Sequence, residues 1–206
     1  MELTPGPQPP ISYHWAMRQV NIPLPAFPTL ETANLRLREM VPADAEAVFR
    51  VFADEEVTRY YDLEAFHTLD QARSHIGRQA TRHQRGELIR WGICQRANDL
   101  LIGSVGVGIY PNNAQGGLGY ELARPYWRKG IMSEALAIVI RFSFRTLNLN
   151  RLQALVMPGN EASAGLLRKL GFTQEGLLRE YAFFKGRYQD LYCFSLLRRE
   201  WEAGQG

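Results

Sequence analysis

The stretch YWRKGIMSEAL, Tyr126 to Leu136, sets two cations and a glycine directly before a run with good helical character. The first amide N–H groups of a helix have no internal partner, and the macrodipole is positive at that end. Arg128 and Lys129 make this end still more positive, which disfavours the helix and favours an anion. Gly130 removes the side chain that would hold a ligand away from the backbone. The turn therefore reads as a cradle for a phosphorylated ligand at the start of a helix.

The surrounding pattern supplies the rest of a domain. From Asn34, NLRLREMV alternates as a half-buried strand does. PADAEAVFRVFAD starts a helix near Pro42, and TLDQARSHIGRQATRHQRG reads as a second helix with Thr68 or Asp70 near its cap and Gly86 at its end. LIRWGICQ, LLIGSVGVGIY and GGLGYEL read as three strands joined by turn-rich RAND and PNNAQGG, an antiparallel meander. The helix IMSEALAIVIRFSFRTL follows, with apolar residues nearly all round it. RLQALVMP is a strand, EASAGLLRKL a short helix closed by Gly171, and YAFFKGRYQDLYCFSLL a hairpin turning at Lys185-Gly186. This order predicts an α/β fold, one domain over 34–200 with a mixed, mostly antiparallel sheet flanked by helices. Seven of the eleven prolines lie within 1–33, a segment that forms neither helix nor central strand. Trp15, Ile22, Leu24 and Phe27 favour a strap laid across the domain for its second half. Residues 201–206 form a short tail, expected to fray beyond Trp201.

Other functions are disfavoured by composition and motif. A net charge of +3 with no long basic run gives little reason to expect direct nucleic-acid binding. Cys94 and Cys193 each stand alone in an apolar run, the pattern of buried reduced thiols in a cytoplasmic protein. His14, His67, His75 and His83 form no recognised ligand spacing, so no metal is expected. No cationic start is followed by an apolar stretch, so no signal peptide is expected, and no apolar run approaches a membrane span. No GxxxxGK followed by Ser or Thr is present, and the glycines of GSVGVGIY are not followed by a helix. Those glycines serve strand twist or a close backbone approach.

YELARPYWRKGIMSEAL followed by RLQALVMPGNEASAGLLRKLGF resembles the GNAT acetyltransferases, specifically the RimJ/RimL-like branch that acetylates ribosomal-protein N-termini, over roughly residues 34 to 198. The resemblance implies acetyl-CoA as co-substrate, with its pyrophosphate on the backbone of Arg128, Lys129, Gly130, Ile131, Met132 and Ser133. It implies that Asn160 contacts the pantetheine arm, that Ser163 lies near the thioester sulfur, and that the strand end at Glu121, Leu122 and Ala123 supplies an amide to the tetrahedral oxyanion. Two departures stand out. Trp127 and Met132 occupy the ends of a turn that the family often writes with Gln or Arg first and Gly or Ala last. The Met132 side chain is expected to crowd the pyrophosphate. Leu167 stands where some relatives carry an acidic tyrosine.

Each residue also has a plainer role. Asn160 can cap the helix starting at Glu161, and Ser163 can be an ordinary first-turn serine. Glu121 is either an exposed strand carboxylate or, if it faces the thioester, the acceptor of the amine proton. Glu55, Glu56, Asp62 and Glu64 are either a solvated loop or an attraction for a cationic amine. An α-amine, with pKa ~8, is far closer to a free nucleophile at neutral pH than a lysine at ~10.4. The expectation is thus an acetyl-CoA-dependent N-acetyltransferase acting on a protein N-terminal amine. A small amine (polyamine or aminoglycoside) as acceptor and a non-catalytic acyl-CoA sensor are the alternatives. A homodimer is compatible with the sequence.

Overall fold

The computed structural model describes residues 26–204. Trp15, Ile22 and Leu24, expected to anchor a strap, lie outside them. Strands β1 (Leu30–Glu31) and β2 (Leu35–Glu39) are followed by helices α1 (Ala45–Phe52), α2 (Glu55–Thr58) and α3 (Leu69–Gln84). Then come β3 (Leu88–Gln95), β4 (Leu101–Tyr110), β5 (Gln115–Leu122), α4 (Ile131–Arg145), β6 (Arg151–Val156), α5 (Glu161–Lys169), β7 (Thr173–Phe184), β8 (Arg187–Leu197) and α6 (Arg198–Ala203). The eight strands form one sheet in the order β1-β2-β3-β4-β5-β6-β8-β7. The β5–β6 pair is parallel and every other pair is antiparallel. This is the α/β architecture expected, with helices on both faces.

Strand alternation divides the core in two. Ile89, Trp91 and Ile93 of β3 and Val105, Val107 and Ile109 of β4 face α4, whose Leu136, Val139, Ile140 and Phe144 are buried against them. The opposite face carries Cys94 and Leu101, which pack with Val48, Val51, Phe52 and Ile76 from α1 and α3. Local signals place the helix ends. Thr68 caps α3 in a reciprocal box with Gln71, and Gly86 leaves it at φ 70°.

The described part of the N-terminal segment rests on the domain. The Phe27 ring lies 4.9 Å from His83 and 6.1 Å from Trp91, whose indole donates to the Pro28 carbonyl at 2.6 Å. Three details differ from the sequence expectation. The hairpin turns at Lys185-Gly186, both at positive φ, but β7 begins at Thr173 rather than near Tyr181. Its first half is an exposed, charged edge strand with register shifts, so it lacks the apolar alternation that marks a strand. At the other end, α6 continues through Ala203, held by Trp201 packed on Phe144 and Arg145. Finally, Cys193 is half-buried rather than buried, because its Sγ faces Arg151 and Glu175 beside that edge strand. No helix among the described residues is long and apolar enough to cross a membrane.

His75 gives the fold an acid-sensitive point. It is 3% exposed, with Phe52 and Phe66 at centroid distances of 4.8 and 5.9 Å. Burial first, and then the charges of Arg90 and Arg78, push its pKa down to about 3. The unfolded chain takes up this proton near pH ~6.5, whereas the folded chain does so only near 3. The contribution to stability is therefore full above about 6.5 and falls as pH is lowered toward 3, by up to about 1.4 kcal/mol per pH unit. His75→Phe keeps the aromatic packing and should flatten the loss of melting temperature between pH 6.5 and 4. A variant with the wild-type pH profile would assign that loss to other groups.

Candidate active site

The parallel pairing of β5 with β6 runs from Gln115↔Arg151 to Leu118↔Ala154 and stops there. Beyond it the two strands part, so Gly119–Leu122 has a partner only on the β4 side. Glu121 pairs with Ser104, and the Ala123 amide donates to the Ile102 carbonyl at 2.8 Å. Alternation then points the Tyr120 and Leu122 amides into the opening. This corrects one expectation: the Ala123 amide is already used and is not a free donor, whereas the Leu122 amide faces the opening.

The basic turn closes the same end of β5. Arg128 and Gly130 both take left-handed conformations, at φ 60° and 78°, and Gly130 is the N-cap of α4. Among the described residues, no acceptor meets the amides of Arg128, Lys129, Gly130, Ile131, Met132 or Ser133. A continuous run of unpartnered N–H groups beside two cations is an anion cradle. The Met132 side chain does not crowd it. That residue is 9% exposed and packed in the core under α4, because helical geometry turns it inward. Trp127 ties the turn to the strand by donating from its indole to the Leu122 carbonyl at 2.6 Å.

On the α1–α3 face of the sheet lies a cleft of about 500 Å³. Its floor is clear because Gly106 and Gly108 of β4 stand beside Gly117 and Gly119 of β5. A Cβ at Gly106 or Gly119 would come within 3.2 Å of the Arg90 guanidinium, and one at Gly117 within 3.2 Å of the Tyr110 ring. Tyr60, Tyr61 and Asp62 form one wall, and Tyr181–Phe184 of β7 the other. Lys185 at the hairpin tip bridges the walls, donating to the Thr58 and Arg59 carbonyls at 2.7 and 3.3 Å.

Arg90 is the buried hub of this floor. It donates to Glu121 at 2.9 Å, to Ser104 at 2.8 Å and to the Tyr61 hydroxyl at 2.8 Å. Ser104 donates to the other carboxylate oxygen of Glu121, whose side chain is 2% exposed. Burial raises the pKa of Tyr61, keeping it a neutral phenol. Glu121 is therefore not an exposed strand carboxylate, and both its oxygens are already engaged, one by Arg90 and one by Ser104. Of the acids expected to attract an amine, only Asp62 lines the cleft. Glu55 and Glu56 sit in the exposed first turn of α2, Glu56 beside Arg59 at 3.6 Å, and Glu64 is exposed in the following loop.

Asn160 and Ser163 stand together at the start of α5, just past β6. Asn160 caps α5 by accepting from the Ser163 amide at 3.2 Å, and its Nδ2 has no partner among the described residues. The Ser163 hydroxyl lies 2.8 Å from the Tyr120 hydroxyl. The motif comparison points to the helix position Leu167 for a tyrosine and passes over Tyr120 on the strand. Leu167 is fully buried and unavailable. The signal was present in GYEL, because a residue next to Glu121 on a strand must face the other side of the sheet. Burial pushes the Tyr120 pKa up to about 12, with the Ser163 bond partly opposing the rise.

Residues 34–173 match the acetyltransferase (GNAT) domain family. The uncharacterized N-acetyltransferase YoaA of Bacillus subtilis is 40% identical over 173 residues, 84% of this chain and 98% of that protein. A [ribosomal protein uS5]-alanine N-acetyltransferase of Escherichia coli is 31% identical over 60% of this chain and 64% of its own length. In fold the chain is similar to a solved structure of RimL, a ribosomal L7/L12 alpha-N-protein acetyltransferase, in complex with coenzyme A. The TM-score is 0.73 at 21% identity, covering 82% of this chain and 98% of that one. With the parted strands, the anion cradle and the family match across both motifs, the chain belongs to the GNAT family and is an N-acetyltransferase.

Proposed function

We propose that the protein transfers the acetyl group of acetyl-CoA to the α-amine of a protein N-terminus. The reading of the donor is carried by one observation: the unpartnered amides from Arg128 to Ser133 end at the opening between β5 and β6. Such a cradle suits a pyrophosphate, and the opening with Asn160 Nδ2 beside it suits a pantetheine arm of amides. Bound acetyl-CoA supplies an activated acyl thioester. Arg128 to Ser133 hold its phosphates, Asn160 and the Tyr120 amide hold the arm, and the Leu122 N–H is the oxyanion donor.

The acceptor enters from the opposite face. The cleft is lined by the aromatic side chains of Tyr60, Tyr61, Tyr110, Tyr181 and Phe183, and the last two, on the hairpin, are 55% and 64% exposed. This favours an extended polypeptide end over a compact polyamine, for which a single acid, Asp62, is a thin counter-charge. With a pKa of ~8, about a quarter of an α-amine is already neutral at pH 7.5, so solvent can take its proton without a dedicated base. We further propose that 34–200 is the catalytic unit.

An acceptor panel tests the reading. Thiol release should be measured with peptides bearing a free N-terminal alanine, the same peptides blocked at the N-terminus but containing lysine, spermidine and an aminoglycoside. The free α-amine peptides should exceed the others at least tenfold in kcat/KM. Preference for spermidine or the aminoglycoside would reject the protein acceptor. Calorimetric binding of acetyl-CoA without thiol release for any amine would reject turnover.

A further inference from the structure

We infer that Tyr120 is a positioning residue: its hydroxyl donates to Ser163 Oγ and thereby turns the serine proton toward the opening between β5 and β6. The two oxygens are 2.8 Å apart, and either could donate. Three observations decide the direction. Tyr120 lies on the end of β5 that pairs with β4 alone, beyond Leu118↔Ala154, while Ser163 lies in the first turn of α5, just past β6. The bond therefore spans the mouth of the opening. Among the described residues Ser163 Oγ is the one acceptor that the Tyr120 hydroxyl meets. If the serine donated instead, the tyrosine proton would be left partly buried without a partner, at a desolvation cost. A phenol is also the stronger donor of the two and an alcohol oxygen the stronger acceptor. Burial of Tyr120 keeps the phenol protonated across the working pH range.

With its oxygen accepting from Tyr120, the serine has its own O–H left over, and that O–H points where no described residue competes for it. Accepting one bond also strengthens the bond it donates. The consequence concerns the departing thiolate. When the C–S bond breaks, its electron pair stays on sulfur, and the Ser163 O–H offers that sulfur a hydrogen bond. No proton need leave the Tyr120–Ser163 pair. The proton displaced from the amine passes to solvent, and the thiolate is later protonated from solvent. This rests on the proposed site, in which the sulfur lies beside Ser163.

The test is a double-mutant cycle on the full chain, with steady-state kinetics on the best acceptor of the panel. Ser163→Ala should lower kcat about ten- to a hundredfold. Tyr120→Phe, which keeps the ring, should lower kcat roughly two- to tenfold, with the acetyl-CoA Kd and the acceptor KM unchanged within about twofold. Added to Ser163→Ala, it should cost nothing further. As a conservative rescue, 3-fluorotyrosine at position 120 is a better donor and should keep kcat at or above wild type. It also stands in for the phenylalanine variant should that one fail to fold. A wild-type kcat for Tyr120→Phe overturns the inference. So does an undiminished loss when it is combined with Ser163→Ala, or a fluorotyrosine enzyme as slow as Tyr120→Phe. Wild-type kcat in Ser163→Ala instead removes the serine from the mechanism and the inference with it.

Discussion

Gly130→Glu should abolish acetyl-CoA binding while the protein stays folded. At φ 78° any side chain is strained, by roughly 1–2 kcal/mol. Space is not the obstacle, since a Cβ there would meet no atom within 4 Å. The new carboxylate would sit at the N-terminus of α4 beside Arg128 and Lys129, an electrostatically favourable place for it, which offsets part of the strain. That same attraction is the reason binding should fail: the carboxylate occupies the field and the amides that a pyrophosphate would use. We expect the Kd to rise at least a hundredfold, about 2.7 kcal/mol. Gly130→Ala separates the two effects, because it carries the strain without the charge and should weaken binding less than tenfold. Titration calorimetry decides it. A glutamate variant within threefold of wild type would place the phosphates elsewhere.

Arg90→Met should be the most destabilising single change in the acceptor cleft. Methionine fills much of the volume above Gly106 and Gly119 but leaves the Glu121 carboxylate, 2% exposed, without its cationic partner. Removing one member of a buried pair typically costs 3–5 kcal/mol. For a chain of this size that corresponds to a fall in melting temperature of roughly 6–20 °C. Adding Glu121→Gln removes the stranded charge and should restore at least half of the loss. A single variant melting within about 2 °C of wild type would show that the network contributes little to the fold. Calorimetry with and without acetyl-CoA separates stability from ligand binding.

The sequence by itself determined the elements whose signals are local. Gly130 after two cations, Thr68 three residues before Gln71, Lys185-Gly186 between alternating runs and Asn160 before α5 each act within a few residues, so their chemistry is legible without the fold. The two linked motifs likewise announced the family, because both lie on contiguous stretches. Tertiary structure decided everything that depends on which strands adjoin and which face a side chain takes. Glu121 reads as an exposed acid until β3 and β4 bring Arg90 and Ser104, 31 and 17 residues away in sequence, against it. Tyr120 meets Ser163 across 43 residues only because β5 and β6 pair in parallel and then part. Met132 reads as an obstacle to phosphate until the packing of α4 turns it into the core. Of four neighbouring acids, the path of the loop after α2 brings Asp62 alone to the cleft. A short-range pattern states what a residue can do; the burial and partners that select among those roles arise only when distant strands close on one another.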